Sequence, residues 1–164
     1  MTTNIQLARQ VAQHVQLKSI ALRSAHVDSF IPAGEPVSDP ISVTQQHRCT
    51  FEELSLENAR EIHVSVEFRC QASRNGSGEG AAAEAALLKL DATFILVYTL
   101  PLEAKYESEC LQHFAELNGT YNAWPYWREL VQTATGRVGL SGVILPVYRP
   151  VSKKLAEKES TKGD

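Results

Sequence analysis

The sequence predicts an α+β fold: a four-stranded antiparallel sheet with helices on one face. Three observations carry this. Ile62, Val64, Val66, Phe68 and Cys70 alternate with His63, Ser65, Glu67 and Arg69, which gives one buried face and one wet face. Leu88, Leu90, Ala92, Phe94, Leu96 and Tyr98 repeat that alternation in a second long run. After Pro101 the apolar spacing changes to that of a helix, so strands come first and helices follow, rather than alternating as in a parallel sheet.

Taken in order, Asn4 to Gln13 reads as a short helix, with Ile5, Ala8 and Ala12 on one stripe and Leu7 and Val11 beside it. Val15 to Val27 reads as the first strand. Val15 and Leu17 point one way, Ile20 and Leu22 the other, which predicts a bulge or twist between them. Pro32, Gly34, Pro36 and Pro40 make Ile31 to Pro40 a loop. Val43, Gln45, His47, Cys49 and Phe51 alternate with polar neighbours as a second strand near an edge. Ile62 to Cys70 is the third. Asn75 to Gly80 is a glycine-rich hairpin connection, and Leu88 to Tyr98 is the fourth strand. The other face of that strand turns apolar at Ile95 and Val97, which predicts cover on both sides there by a helix, a loop or another subunit.

A helix fits Glu103 to Asn118, with Tyr106, Cys110, Phe114 and Leu117 on one stripe and Asn118-Gly119 as its stop. A second follows from Asn122, the expected N-cap, with Pro125 in its first turn and Gly136 as its left-handed end. Trp127, Leu130, Val131 and Ala134 form its apolar face. Leu140 to Pro146 is extended and apolar. The domain is expected over residues 1–150, with the short helix at 1–13, and a disordered charged tail over 151–164.

The chain of 164 residues fits one domain. Its net charge of −3 is interspersed, which argues against nucleic acid as the main partner. No apolar run reaches the length of a membrane span, and Met1 to Gln16 has neither a basic start nor an apolar signal core, so a cytoplasmic location is expected. Cys49, Cys70 and Cys110 fall on apolar faces at spacings that suit neither disulfides nor zinc, so buried free thiols are expected. Asn75-Gly-Ser77 and Asn118-Gly-Thr120 match the glycosylation sequon and read as chance matches in turns.

The search for chemistry finds no metal site, no cofactor motif and no catalytic group. Gly76-Ser-Gly-Glu-Gly80 lacks the Lys-Ser or Lys-Thr of a phosphate loop and lies between strands. The five histidines have no paired spacing, and His47 and His63 fall on opposite faces. No serine or cysteine sits in a nucleophile context. The surplus is apolar and aromatic: Trp124, Pro125, Tyr126 and Trp127 stand together at the start of a helix. Such a cluster is either core or the anchor set of a binding surface.

Ala123-Trp-Pro-Tyr-Trp-Arg-Glu-Leu-Val, then Gly136-Arg-Val-Gly-Leu and Val143-Ile-Leu-Pro146, is similar to the C-terminal half of the SecB-like chaperones. Trp124, Pro125, Tyr126, Arg128 and Glu129 match the family's aromatic-Pro-Tyr-x-Arg-Glu block, the one specific stretch. Weaker likeness in Lys18 to Ser24, Glu61 to Arg69 and Ala92 to Leu96 extends it over roughly Val15 to Pro150. The N-terminal helix resembles the toxin–antitoxin-associated branch.

The resemblance implies an ATP-independent holdase, with no cofactor, that binds unfolded preproteins or other non-native chains and keeps them translocation-competent. It also implies a homotetramer, a dimer of dimers. Trp124, Tyr126 and Trp127, with Phe114 and Leu117, are the expected client-binding residues, and Arg128-Glu129 is expected to be structural. Exporting members dock the motor SecA through acidic residues on the first strand; Ser19 and Arg23 stand at the corresponding positions, which weakens that expectation and leaves client binding. Two other readings stand beside it: a dedicated chaperone of an antitoxin, and a small α+β enzyme or ligand-binding domain whose aromatics line a pocket.

Overall fold

The computed structural model describes residues 3–37, 40–74, 86–140 and 143–150. The hairpin connection expected over Asn75 to Gly80 and the tail expected over 151–164 lie outside them. Helix α1 (Asn4–Ala12) precedes strands β1 (Gln16–Ser29), β2 (Ile41–Ser55), β3 (Arg60–Arg74) and β4 (Ala86–Leu100). Helix α2 (Ser108–Phe114), a π-helical turn (Ala115–Gly119) and helix α3 (Thr120–Arg137) complete the order. The four strands form one antiparallel sheet in the order β1-β4-β3-β2.

The centre of the sheet falls to the strands with the longest apolar face. Ile62, Val64, Val66 and Phe68 of β3 and Leu88, Leu90, Phe94, Leu96 and Tyr98 of β4 are buried under the helices, while β1 is exposed along nearly its whole length. Ile95 and Val97, expected to be covered on the far face, stay partly exposed in the single chain. Helix α1 starts with a capping box: the Gln6 amide donates to Thr3 Oγ1 at 3.3 Å, and the Thr3 amide to Gln6 Oε1 at 2.8 Å. It buries Ala8 and Val11 and packs on α2.

Strand β1 carries the expected irregularity, and carries it twice. The pairing with β4 slips between Leu17 and Ser19 and again between Leu22 and Ser24, so Lys18 and Arg23 are extra residues. Directly opposed residues of an antiparallel pair share a face. Leu17 opposes Tyr98, Ile20 opposes Leu96, Leu22 opposes Phe94 and Val27 opposes Leu90, so all four lie on the helix side. The first bulge thus brings Leu17 onto the face of Ile20 and Leu22, where unbroken alternation would part them. Lys18 uses its freedom to reach Glu61 on β3, Nζ to Oε1 2.7 Å, and His63 Nε2 lies 2.8 Å from Glu61 Oε2. The hydrogen bond from Lys18, then that with His63, holds the Glu61 carboxyl below its usual range. A depressed carboxylate stabilises the fold at neutral pH, and that contribution is lost as pH falls through the folded pKa.

The two C-terminal helices are one continuous run. Gly119 and Asn118 do not stop a helix; Gly119 sits at φ −59, ψ −52 inside it. Its missing side chain serves a close approach instead, because a Cβ there would lie 2.7 Å from Val64 Cγ1. Asn122 is no cap either, since its Nδ2 donates to Tyr98 Oη at 2.9 Å. Pro125 lies within α3 and leaves the Tyr121 carbonyl without its helical donor. The run begins at Ser108, so Tyr106 precedes the helix but still packs on the core. At the other end Gly136 stays helical, and the left-handed residue is Gly139, φ 81. Leu140 N–H donates to Thr135 O at 2.9 Å and Gly139 N–H to Gly136 O at 3.4 Å, the paired bonds of a Schellman end.

Candidate functional site

Helix α3 lies over the middle of the sheet and sorts its aromatics by position. Trp127 is fully buried and stacks on Phe68 of β3, with ring centroids 5.0 Å apart and planes 9° apart. Phe114 is buried edge-on to Tyr98 at 4.9 Å. Both were expected to line a groove; both are core instead, because the sheet face they meet is apolar along its length. Tyr98 is fixed between the Asn122 amide and the Asn118 carbonyl, and burial pushes its phenol up to about 12.

The remaining candidates divide between the flanks of the helix run. Tyr126 is 51% exposed and leans over Phe94, centroids 6.4 Å apart. Across the sheet from Phe94 is Leu22, and the β1 stripe continues this surface: Leu17 is 44%, Leu22 50% and Val27 42% exposed. Leu117 is half-buried and lines, with Ile5, Ala8, Ala12 and Tyr121, an apolar depression of about 280 Å³ between α1 and the π turn. Tyr126 and the β1 stripe are the open apolar surface of this flank. The stripe went unrecognised in sequence because two bulges hide it from a period of two.

On the β2 side the flank is filled. Trp124 is buried, edge-on to Phe68 at 5.8 Å, and its indole N–H donates to the Pro146 carbonyl at 2.9 Å. Arg128 Nε donates to the Leu145 carbonyl at 2.9 Å, so its structural role is to hold the C-terminal segment. Glu129 accepts from Thr133 on the same helix. Tyr148 packs on Trp124 at 5.3 Å and edge-on to His47 at 5.9 Å.

The titratable groups here suit packing rather than catalysis. Burial lowers the His47 pKa, and burial raises the Cys49 thiol to about 11 although Thr120 Oγ1 lies 3.1 Å away. Cys70 and Cys110 are buried and free, Cys49 partly exposed. Among the described residues no cluster of side chains could hold a metal ion, and no helix is long and apolar enough to cross a membrane.

No protein-family model matches the chain. It is 30% identical over 114 residues to a SecB-like chaperone of Mycolicibacterium smegmatis, a match that covers 69% of this chain and 72% of that protein. Among solved structures it superposes on the Mycobacterium tuberculosis SecB-like chaperone in complex with a ChAD peptide from the HigA1 antitoxin. The TM-score there is 0.73 at 18% identity, over 89% of this chain and 99% of that one. A Streptococcus agalactiae protein of unknown function matches at a TM-score of 0.50 and 13% identity, over 80% of this chain and 96% of that one. The two structural matches bear on the fold alone: the same open antiparallel sheet with helices.

Proposed function

As this chain belongs to the SecB-like chaperone family, we propose that it holds non-native polypeptides without nucleotide, gripping them along the open flank between α3 and β1. The observation that carries this is the apolar strip itself. Leu17, Leu22, Val27 and Tyr126 are each more than two-fifths exposed on one side of the sheet, and a continuous exposed apolar surface marks an interaction site. Such a surface needs no catalytic group to bind extended chains through their apolar side chains. A cytoplasmic place of action goes with this reading.

The free edge of β1, distinct from the apolar strip, supports a homotetramer, a dimer of dimers. Strand β1 is a long edge with one unpaired side, and an edge of this kind invites pairing with another copy. Sedimentation at micromolar concentration distinguishes the assemblies: a chain that remains a monomer sinks the oligomeric reading. Motor docking through acidic residues of β1 has little support, since Asp28 is the one acidic residue between Gln16 and Ser29.

A dedicated antitoxin chaperone is the second reading, favoured by the antitoxin peptide held in the Mycobacterium tuberculosis structure. Aggregation assays separate the two. A denatured protein diluted with a near-stoichiometric amount of this chain should stay in solution if clients are general. No suppression of any unrelated client, with rescue of one antitoxin, would favour the narrow role. Tyr126→Ala is expected to weaken client binding about tenfold, the scale of losing one exposed aromatic anchor, while the urea midpoint stays near that of the wild type. An unchanged affinity would remove Tyr126 from the site.

A further inference from the structure

We propose that Trp124 and Arg128 form a clamp that reads the main chain of an extended polypeptide, and that the chain's own segment 143–148 occupies this clamp until a client displaces it. The inference rests on the holdase reading above and adds a second seat, with its regulator, on the opposite flank of α3.

The two side chains stand one helical turn apart, four residues on one helix, and so point together. They donate to consecutive carbonyls of one extended stretch, Arg128 Nε to Leu145 O and Trp124 Nε1 to Pro146 O, each at 2.9 Å. Carbonyls are common to every sequence, so a clamp that uses only donors selects extended conformation and not residue type. Side chains alternate where the two carbonyls are held: Val143 and Leu145 are 8% and 5% exposed and Ile144 between them 69%, whereas beyond Pro146 the alternation ends, with Val147 65% exposed. Tyr148 closes the seat against Trp124 and His47.

The segment also has the marks of a replaceable occupant. Among the described residues it belongs to no strand of the sheet and no ladder of backbone bonds ties it down. Its outward side chains, Ile144 and Val147, are large, apolar and exposed, so they bury nothing that would anchor the segment. The ligand class that fits is an extended segment with apolar residues at alternate positions. An internal occupant lowers apparent client affinity by the fraction of time that it fills the seat.

The test is client affinity and hydrogen exchange on the full chain, with fluorescently labelled, reduced and carboxymethylated α-lactalbumin as the permanently unfolded probe. Leu145→Ser weakens the occupant and is expected to tighten probe binding about tenfold, as occupancy of the seat near nine-tenths requires. In the wild-type chain, saturation with the probe should speed amide exchange across 143–148 and leave that of α3 unchanged. Probe affinity equal to or below wild type in a folded Leu145→Ser chain overturns the clamp. So does exchange across 143–148 that is unchanged or slowed by the probe, and this second reading decides alone if the variant unfolds. Probe bound by neither chain overturns the holdase reading and the clamp together; probe bound by the wild type without release of the segment overturns the clamp alone.

Discussion

Trp127→Ala is expected to cost about 3–5 kcal/mol of stability, the range for truncating a buried aromatic. A domain of this size is stable by about 5–15 kcal/mol, so the variant should unfold at much lower urea and be mostly lost at elevated temperature. The ring is fully buried and stacked on Phe68, which itself meets Phe94, Trp124 and His47. Removing it opens a cavity at the junction of α3 with β3, which close-packed neighbours fill only in part. Among the described residues the indole nitrogen has no hydrogen-bond partner, so the loss is one of packing. Trp127→Phe keeps an aromatic face on Phe68 and sheds that unpartnered N–H, and should lose far less. Urea midpoints for Trp127→Ala, Trp127→Phe and Tyr126→Ala check this directly. If Trp127→Ala kept the wild-type midpoint and lost client binding, the residue would line the groove and its place in the core would be refuted.

The contrast between Trp127 and Tyr126 shows how far the sequence could be read. Period-two runs identified β3 and β4 and their buried faces, because both strands are central and one whole face of each meets the helices. The aromatic block marked α3 as the organising helix. Local spacing could not say which aromatic faces the sheet, since Trp124, Tyr126 and Trp127 lie within one turn and their fates depend on where the helix crosses Phe68 and Phe94. Strand β1 was legible as a bulged strand, but its apolar stripe was not. Two inserted residues, Lys18 and Arg23, set the parity, and only pairing with β4 reveals their number and place.

Glycine and asparagine misled for a related reason. Asn118-Gly119 and Gly136 are residues of the kind that end helices, yet at the end of α3 it is Gly139 that takes the left-handed conformation. A glycine relieves either backbone strain or crowding, and sequence alone does not separate these uses. The C-terminal segment shows the converse. The described part of that stretch, Val143 to Pro146, was legible as extended and apolar, but its docking through Trp124 and Arg128 depends on main-chain carbonyls, which leave no trace in residue type.

Gly119→Ala tests which use applies in the π turn. In an open helix the change stabilises by about 1 kcal/mol, through the lower backbone entropy of alanine. Here the new methyl would lie 2.7 Å from Val64 Cγ1 and 3.6 Å from Val66 Cγ2. Val64 is fully buried, β-branched and on a central strand held by β2 and β4, so it has neither a free rotamer nor room to retreat. Forcing a methyl into such a site costs about 1–3 kcal/mol, which exceeds the propensity gain over most of its range. A net loss of up to about 2 kcal/mol is therefore expected. In a Val64→Ala background the obstacle is gone, and the same change should become neutral or stabilising. The double-mutant cycle, read from urea unfolding, should then give a coupling on the order of 1–3 kcal/mol. Stabilisation by Gly119→Ala in both backgrounds would mean that the glycine is only a flexible joint. Helix and sheet would not be in close contact there, and the packing that places α3 over Phe68 would need another origin.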